Sequence, residues 1–452
     1  RSPEPTTGAR TSKAVSDTLT LARYNAEKSI FPLQLQLTTS NLIIGGDAEP
    51  IRRRACVRAG STMAAATAPI AKGAYLGRRN AIPVIYVRGT HYEVGYDVGR
   101  TFSGLIHSLL EKAGPLNDEY LPLWSGAPGR RVYEDTLAAC KEAFPQYVAE
   151  IQGTADGAGV PFHKLFLLQM DDIITNVAGG ISVNNKPTGC TSICLNEPGN
   201  EILGHTEDTL SEILNHFYIL SAHIVPDGAH GKGKEEKFSS LCYAGHMPGY
   251  TMGFNHHGLV YSINTISAKT LYSGKIPRTF LTRALLAADS LASVETVLTS
   301  EGRGAADACS INLTFLHQEG ARLFHNIELG PGKTCGQLDV FTASPGEFIM
   351  HCNRYLRLKV PEMMGVMMNS SDERMACLKK HDKPLKKKDI VNMLSDQTGV
   401  THKVFMEAGP DDYVKTIAVG IFDCCAGTWS LYIDKPNCSD PIVVLPLLTK
   451  KK

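Results

Sequence analysis

Pro187-Thr-Gly-Cys-Thr-Ser-Ile-Cys194 closes a loop rich in glycine, asparagine and proline (179–189) and opens a strand. Gly189 immediately precedes Cys190, and strand-forming residues follow at once from Thr191 to Leu195. Eighteen residues beyond Cys190 stands Asp208, at the end of Gly204-His-Thr-Glu-Asp. On spacing alone this is a thiol at a loop–strand junction. A buried structural cysteine is then the favoured reading, because free cysteine is among the most buried residue types.

The chain changes character at this junction. Before it, Ile82–Arg88 reads as a short strand. His91–Lys112 reads as a helix with Val94, Val98, Phe102, Leu105 and Leu109 on one face. Tyr133–Ala143 reads as a second helix, Pro145 starts a third that runs to Gly153–Gly159, and Leu165–Ile174 reads as helix again. After the junction, strands are expected at 191–195, 201–205, 217–225, 241–244, 250–254 and 259–266. An amphipathic helix over 278–300 and strands at 310–317, 322–328 and 338–342 come next. Residues 356–397 read mostly as helix, and two closing strands, 416–422 and 428–433, flank a turn. Helices, then many antiparallel strands, then helices imply stacked sheets covered by helices, an α/β (α+β) chain.

Composition narrows the function classes. The chain has 452 residues, a formal net charge of +1, 43% hydrophobic and 20% charged residues. That is ample to bury a core. It argues against a nucleic-acid partner, which calls for a strong basic excess, and against an acidic disordered tail. No apolar run approaches the length of about 18 residues that a membrane helix needs, so no membrane partner is expected and the cytoplasm is the default location.

Residues 1–75 are expected to be a disordered or artefactual N-terminal extension, since 1–62 show no sustained periodicity. They contain no apolar core of a secretory signal, and Glu4, Asp17, Glu27, Asp47 and Glu49 speak against a transit peptide. The twelve cysteines include no CxxC pair, so neither a zinc ribbon nor a thioredoxin-type motif is supported. Eleven of the twelve are expected to be buried thiols in a reducing cytosol. HExxH, Walker A, GxSxG and GxGxxG motifs are absent, and neither a metal nor a cofactor is expected.

Several segments, taken in order over roughly residues 82–448, carry a resemblance. They are Gly89-Thr-His-Tyr-Glu-Val-Gly-Tyr-Asp-Val-Gly99, Tyr147-Val-Ala-Glu-Ile-Gln-Gly-Thr-Ala-Asp-Gly-Ala-Gly159, Gly189-Cys190-Thr191 and Gly204 to Asp208. Gly253-Phe-Asn-His-His-Gly-Leu-Val-Tyr-Ser-Ile-Asn264 and His351-Cys-Asn353 complete the set. Together they resemble the acyl-coenzyme A:isopenicillin N acyltransferase family, a branch of the N-terminal-nucleophile hydrolases. The resemblance implies a four-layer αββα sandwich, with two mainly antiparallel sheets between helices. It also implies self-cleavage between Gly189 and Cys190. The small fragment would be 76–189 and the large fragment 190–452, each the partner of the other because both supply strands. Whether the processed unit forms a homo-oligomer is left open.

Residue chemistry fits what the resemblance implies. The Cys190 thiolate would attack the Gly189 carbonyl, and water would hydrolyse the resulting thioester. Glycine at 189 would admit a strained, close backbone that a Cβ would block. The freed α-amine of Cys190, with a pKa of about 8, would act as base beside its own thiol. Asn264 is the oxyanion candidate, although spacing alone would read it as a turn asparagine. Asp208 would orient the new amine and Thr191. Glu207, His351 and Asn353 are candidate supporting or pocket residues. His205 is set aside, because strand alternation turns it to the other face from its immediate neighbours.

One departure bears on substrate. Penicillin-forming members carry an arginine where this chain reads Leu329-Gly-Pro-Gly-Lys333-Thr-Cys335, and lysine lacks the planar guanidinium fork. A smaller or cationic acyl group is expected instead. Tyr86-Val-Arg-Gly-Thr-His-Tyr92 and Gly189-Cys-Thr-Ser192 resemble the members that hydrolyse β-alanyl amines. The expected substrate is therefore a small-molecule amide, β-alanine joined to an amine such as dopamine or histamine. Its cationic end would want a carboxylate, for which Glu207, Asp171 and Asp172 are candidates. Two alternatives stay open: an acyl-coenzyme A-dependent transferase using the same thioester, and a non-catalytic scaffold of the same fold.

Overall fold

Side-chain alternation along two stacked sheets sorts this chain into layers. The computed structural model describes residues 77–179, 189–226, 234–407 and 414–449. The expected extension 1–75 and the loop residues 180–188 lie outside the described residues.

Strand β1 (Val84–Gly89) leads into a helical region. Its α-helices are α1 (His91–Thr101), α2 (Ser103–Lys112), α3 (Leu121–Ser125), α4 (Ala127–Ala143), α5 (Pro145–Ala158), α6 (Phe162–Leu168) and α7 (Asp171–Val177). Then come β2 (Gly189–Glu197), β3 (Asn200–Leu210), β4 (Phe217–Ile224), β5 (Glu236–Tyr243), β6 (Met252–Asn255) and β7 (Leu259–Ile266). Helices α8 (Arg278–Leu285) and α9 (Leu291–Thr299) precede β8 (Ala308–Phe315), β9 (Phe324–Gly330), β10 (Gln337–Ala343) and β11 (Glu347–His351). Helices α10 (Val366–Leu378) and α11 (Lys387–Leu394) are followed by β12 (Val414–Asp423), β13 (Thr428–Tyr432) and β14 (Val443–Pro446).

The strands form an eight-stranded sheet, ordered β1-β4-β5-β6-β7-β8-β9-β10, and a six-stranded sheet, ordered β11-β2-β3-β12-β13-β14. Strand β1 runs parallel to β4, and the other pairs are antiparallel. Three apolar cores separate four layers. The first joins helices such as α1 and α5 to the outer face of the larger sheet, through Val94, Ile151, Leu220 and Ile311. The second lies between the sheets, where Phe217, Leu241 and Phe254 meet Cys194, Phe422 and Trp429. The third joins Ile193, Leu195 and Ile421 of the smaller sheet to Cys377, Leu378 and Leu394 of α10 and α11. This is the α/β/β/α sandwich that the resemblance implies. Among the described residues no helix is long and apolar enough to cross a membrane.

Helix lengths depart from the sequence expectation where periodicity outlasts hydrogen bonding. The 91–112 helix divides at Phe102, which leaves helical geometry at φ −104° and ψ 20°. The 278–300 helix divides before Ser290, which caps α9 by accepting from the Ser293 N–H. The 165–174 segment becomes α6 and α7, and only α10 and α11 are regular α-helix within 356–397. The cysteine expectation also needs correction. Cys335, Cys425 and Cys438 are exposed, because they sit in turns and connections between strands.

Helices α1 and α5 approach closely. A Cβ at Gly95 would stand 2.1 Å from Glu150 O, and one at Gly153 would stand 2.1 Å from Tyr92 O. Beside them Arg283 of α8 pairs with Glu150 at 2.8 Å and with Glu236 at 2.7 Å, while His91 meets Glu150 at 2.8 Å. These contacts fix the helical layer over β5, whose last residue, Tyr243, faces the space between the sheets.

Candidate active site

Cys190 owes its surroundings to the register of one hairpin. Strands β2 and β3 pair Gly189 with Asp208, Cys190 with Glu207, and Ser192 with His205. Period-two alternation then sorts the side chains. Cys190, Ser192, His205 and Glu207 point into the space between the sheets, on the side of Cys194. Thr191, Thr206 and Asp208 point to the helical layer, as does Gly204, where a Cβ would strike Ile390 and Leu394 at 2.7 Å.

On the inner face, Cys190 Sγ lies 3.8 Å from Glu207 Oε1, which also accepts a hydrogen bond from the Tyr243 hydroxyl. Glu207 Oε2 is 3.0 Å from His205 Nε2, and His205 Nδ1 is 2.8 Å from Ser192 Oγ. Ser192 Oγ in turn lies 3.0 Å from Asn264 Oδ1, which accepts from Asn312 Nδ2 at 2.8 Å. All of these groups are buried.

On the outer face, Arg374 of α10 reaches through to the backbone. It donates to Cys190 O at 2.7 Å, to Thr191 Oγ1 at 2.9 Å and to Asn353 Oδ1 at 2.6 Å. The Cys190 N–H donates to the same Asn353 Oδ1 at 2.9 Å. Asp208 accepts from Thr206 Oγ1 at 3.1 Å and from Thr416 Oγ1 at 2.5 Å, and Thr206 Oγ1 accepts from the Thr191 N–H. Asp208 thus connects to Thr191 through Thr206, and its carboxylate stands 4.0 Å from Arg374.

Burial governs the electrostatics. It pushes the Cys190 thiol well above its ordinary value, and the Glu207 and Asp208 carboxylates push it further. The Asp208 carboxyl is likewise raised by burial, to about 7, against the opposing pull of Arg374 and Thr416. The thiol is therefore protonated at neutral pH, and a nucleophilic role requires a group that takes its proton.

Gly189 is confined by space. A Cβ there would stand 2.6 Å from Arg374 Nη2 and 2.7 Å from Asn353 Oδ1. Its φ lies outside the left-handed region, so the expected close approach is present without the expected backbone strain. Asn264 is buried in the inner network, and its Nδ2 donates to His351 O at a long 3.4 Å. His351 does not line the cavity described below; it is fully buried and pairs with Glu328 at 3.1 Å. Lys333 is absent from the cavity wall too, its Nζ lying 5.7 Å from the centre of the Tyr272 ring.

Cys190 opens on a cavity of about 230 Å³. Asp171, Asp172, Glu207 and Glu212 line it, with Arg278 as the guanidinium; Asp208 borders it too, but its carboxylate is turned to Thr206 and Thr416. Arg278 is paired already, with Asp171 at 2.7 Å, Asp172 at 3.1 Å and Asp307 at 3.4 Å. Met363, Met364 and Met367 form part of the apolar wall. Cys190, His205 and Glu207 bring donor atoms within 4.8 Å of one another, but hydrogen bonds among them and to Ser192 and Tyr243 already engage these atoms.

Three residues around Cys190 lie beyond the sequence reading. Strand alternation does place His205 on the face opposite Asp208, but the thiol shares the face of His205. Pairing Cys190 with Glu207 across a tight hairpin is the signal that finds it. Tyr243 and Arg374 come from a strand and a helix distant in sequence, and no local pattern announces them.

Residues 195–438 match the model of the acyl-coenzyme A:6-aminopenicillanic acid acyl-transferase family. The chain belongs to this family. The matched span begins just after the Gly189–Cys190 junction. The chain is also 48% identical over 388 residues to the beta-alanyl-dopamine/carcinine hydrolase of Drosophila melanogaster, across 84% of this chain and 100% of that relative. Two solved structures share weaker similarity. A mutant of the conjugated bile acid hydrolase from Clostridium perfringens is 13% identical, with a TM-score of 0.30 over 54% of this chain and 89% of that one. The penicillin V acylase from Agrobacterium tumefaciens is 11% identical, with a TM-score of 0.31 over 54% of this chain and 82% of that one.

Proposed function

We propose that this family member is a self-processing cysteine amidohydrolase. It cleaves the amide of N-β-alanyl biogenic amines, N-β-alanyl-dopamine and N-β-alanyl-histamine (carcinine), to β-alanine and the free amine through a thioester on Cys190. One observation carries the substrate reading: the Cys190 thiol opens on a cavity rich in carboxylates whose guanidinium is already neutralised by three aspartates. Such a wall favours an acyl group that ends in an ammonium, as a β-alanyl group does, and disfavours the polyphosphate of a coenzyme A donor. The activity named for the Drosophila relative supports the same substrate class.

The chain is first cut between Gly189 and Cys190, leaving a small fragment that ends at Gly189, with 76–189 as its part of the hydrolase domain, and the large fragment 190–452. These stay associated because β1, from the small fragment, pairs with β4 of the large one from Val84 to Gly89. The new α-amine of Cys190 then serves as base for its own thiol. The thiolate attacks the substrate carbonyl carbon, the oxyanion is met by the Asn264 side-chain N–H, and the amine departs with a proton. Water hydrolyses the β-alanyl thioester and restores the thiol. Asp208, Thr191 and Asn353 hold the nucleophile's backbone and amine in place. A reducing, cytoplasmic compartment suits a free thiol nucleophile.

The test is product analysis. Purified chain is incubated with N-β-alanyl-dopamine or carcinine, with and without acyl-coenzyme A. Release of β-alanine independent of acyl-coenzyme A, lost in Cys190→Ala, is the expected result. Acylated amine formed only with the coenzyme, or hydrolysis retained in Cys190→Ala, would contradict it.

A further inference from the structure

Self-cleavage poses a problem that substrate turnover does not. Before the cut, the Cys190 nitrogen is bound in the Gly189–Cys190 peptide and donates its hydrogen to Asn353 Oδ1 at 2.9 Å. It has no lone pair available to serve as a base. The amine that works in the mature enzyme is a product of the step that needs it. Another group must take the thiol proton.

We infer that Glu207 is that group: it accepts the Cys190 thiol proton during self-cleavage and returns it to the departing Cys190 nitrogen, while His205 and Tyr243 position its carboxylate. The inference rests on the self-cleaving reading given above. Its basis is geometric. Among the described residues, Glu207 is the carboxylate hydrogen-bonded to Cys190 Sγ, at 3.8 Å, within the range of a contact to sulfur. The β2–β3 register places the two residues directly opposite each other, so the contact is fixed by backbone pairing rather than by a mobile side chain. The other nearby carboxylate, Asp208, is on the far face and committed to Thr206 and Thr416.

The carboxylate itself is held from two sides. Tyr243 donates to Oε1, the oxygen facing the thiol, and His205 Nε2 meets Oε2 at 3.0 Å. Ser192 backs His205 at Nδ1. The groups facing Glu207 are thus Cys190 from β2, His205 from β3 and Tyr243 from β5. Arg374 from α10 and Asp208 lie across the sheet. A buried thiol held in its protonated form beside carboxylates makes such an acceptor necessary.

The step balances without a further reagent. The Sγ–H bond breaks and its proton passes to Glu207. The Sγ lone pair forms a bond to the Gly189 carbonyl carbon, and the carbonyl π pair moves onto oxygen. When the oxyanion collapses, the C–N bond breaks, and the nitrogen takes the proton back from Glu207. The result is a Gly189 thioester on Cys190 and a free α-amine. One water then hydrolyses the thioester, giving the Gly189 carboxyl group and the thiol.

The experiment is a time course of intact mass after cell-free synthesis of the full chain, at one neutral pH, for wild type, Glu207→Gln, Glu207→Asp and Tyr243→Phe. Folding is checked in each by circular dichroism. The expected result is cleavage slowed about a hundredfold or more in Glu207→Gln, the scale of a lost general base, and slowed less in Tyr243→Phe. Glu207→Asp, which keeps a carboxylate opposite the thiol, should recover part of the wild-type rate, a rescue that a merely structural role would not produce. Folded Glu207→Gln chain that cleaves at the wild-type rate would overturn the role of Glu207 and leave self-processing intact. Wild-type chain that folds and stays whole would overturn self-processing and this role with it. Should Glu207→Gln not fold, Glu207→Asp and Tyr243→Phe decide: wild-type rates in both overturn the inference, and a rate that falls in both supports it.

Discussion

Asn353 Oδ1 accepts the backbone N–H of Cys190 at 2.9 Å, joining residues 163 positions apart. The same oxygen accepts from Arg374, which also donates to the Cys190 carbonyl and to Thr191. The segment around the proposed scissile bond is therefore clamped from the helical side while its thiol faces the other way.

A lysine cannot serve all three acceptors in the plane of a guanidinium. Arg374→Lys should therefore slow self-cleavage by about tenfold or more, a loss of about 1.4 kcal/mol or greater. Intact mass over time measures it, and an unchanged rate would remove Arg374 from the account.

Gly189→Ala places a methyl group 2.6 Å from Arg374 Nη2 and 2.7 Å from Asn353 Oδ1. Both groups are buried and mutually hydrogen-bonded, so relief requires breaking the clamp. Cleavage in this variant should fall by about 5- to 150-fold, from overpacking worth roughly 1–3 kcal/mol. The readout is the fraction of uncut chain after synthesis.

Much of this is legible in sequence because it is local. Eighteen residues from Cys190 to Asp208 are the length of one hairpin, and the structure shows that hairpin. Strands such as Leu259–Ile266 match the expectation because alternation and turn residues bound them. Strand β11 and residue Arg374 are not legible. Glu347–His351 becomes a strand only by pairing with β2, and Arg374 is one arginine on a helix with no distinguishing neighbours. The breaks in the helices beginning at His91 and Arg278 are hidden for a related reason: hydrophobic spacing continues through Phe102 and toward Val294, although the hydrogen-bonded ladder does not.

The α1–α5 contact predicts a stability effect far from Cys190. Gly95→Ala or Gly153→Ala would push a methyl group to 2.1 Å from a backbone oxygen of the facing helix. Backbone cannot rotate away, so each substitution should cost about 1–3 kcal/mol or more. Denaturant unfolding measures the loss.

Acid should unfold the chain through Glu150 and Glu328. Burial raises the Glu150 carboxyl, but the Arg283 charge and hydrogen bonds from His91 and Arg283 outweigh it, leaving about 2 against an ordinary 4.5. Glu328 is opposed by burial and brought to about 2 by His351 and backbone N–H groups of Leu358 and Leu356. Both pKa values are lowered on folding, so their stabilisation is complete above about pH 4.5 and is lost as pH falls toward 2. For Glu150 the loss approaches about 3 kcal/mol. Unfolding free energy measured from pH 7 to pH 3 should fall below pH 4.5, and Glu150→Gln should flatten that fall while lowering stability at pH 7 by about 3–5 kcal/mol, since Arg283 loses a buried partner.

The carboxylate-rich cavity predicts discrimination at the acyl end. N-propionyl-dopamine has the shape of the β-alanyl compound to within one group and no charge. Its kcat/KM should be lower by about 10- to 100-fold, the scale of one charge-assisted hydrogen bond. Equal values for the two substrates would remove the cavity charge from the specificity.

The central claim is that Cys190 becomes the N-terminal nucleophile. Intact mass with N-terminal sequencing of freshly purified chain tests it most directly. The account predicts two fragments that copurify, the larger beginning Cys190-Thr-Ser-Ile, and a single uncut chain for Cys190→Ala. A folded wild-type chain that remains in one piece, or a cut at any other peptide bond, would contradict it.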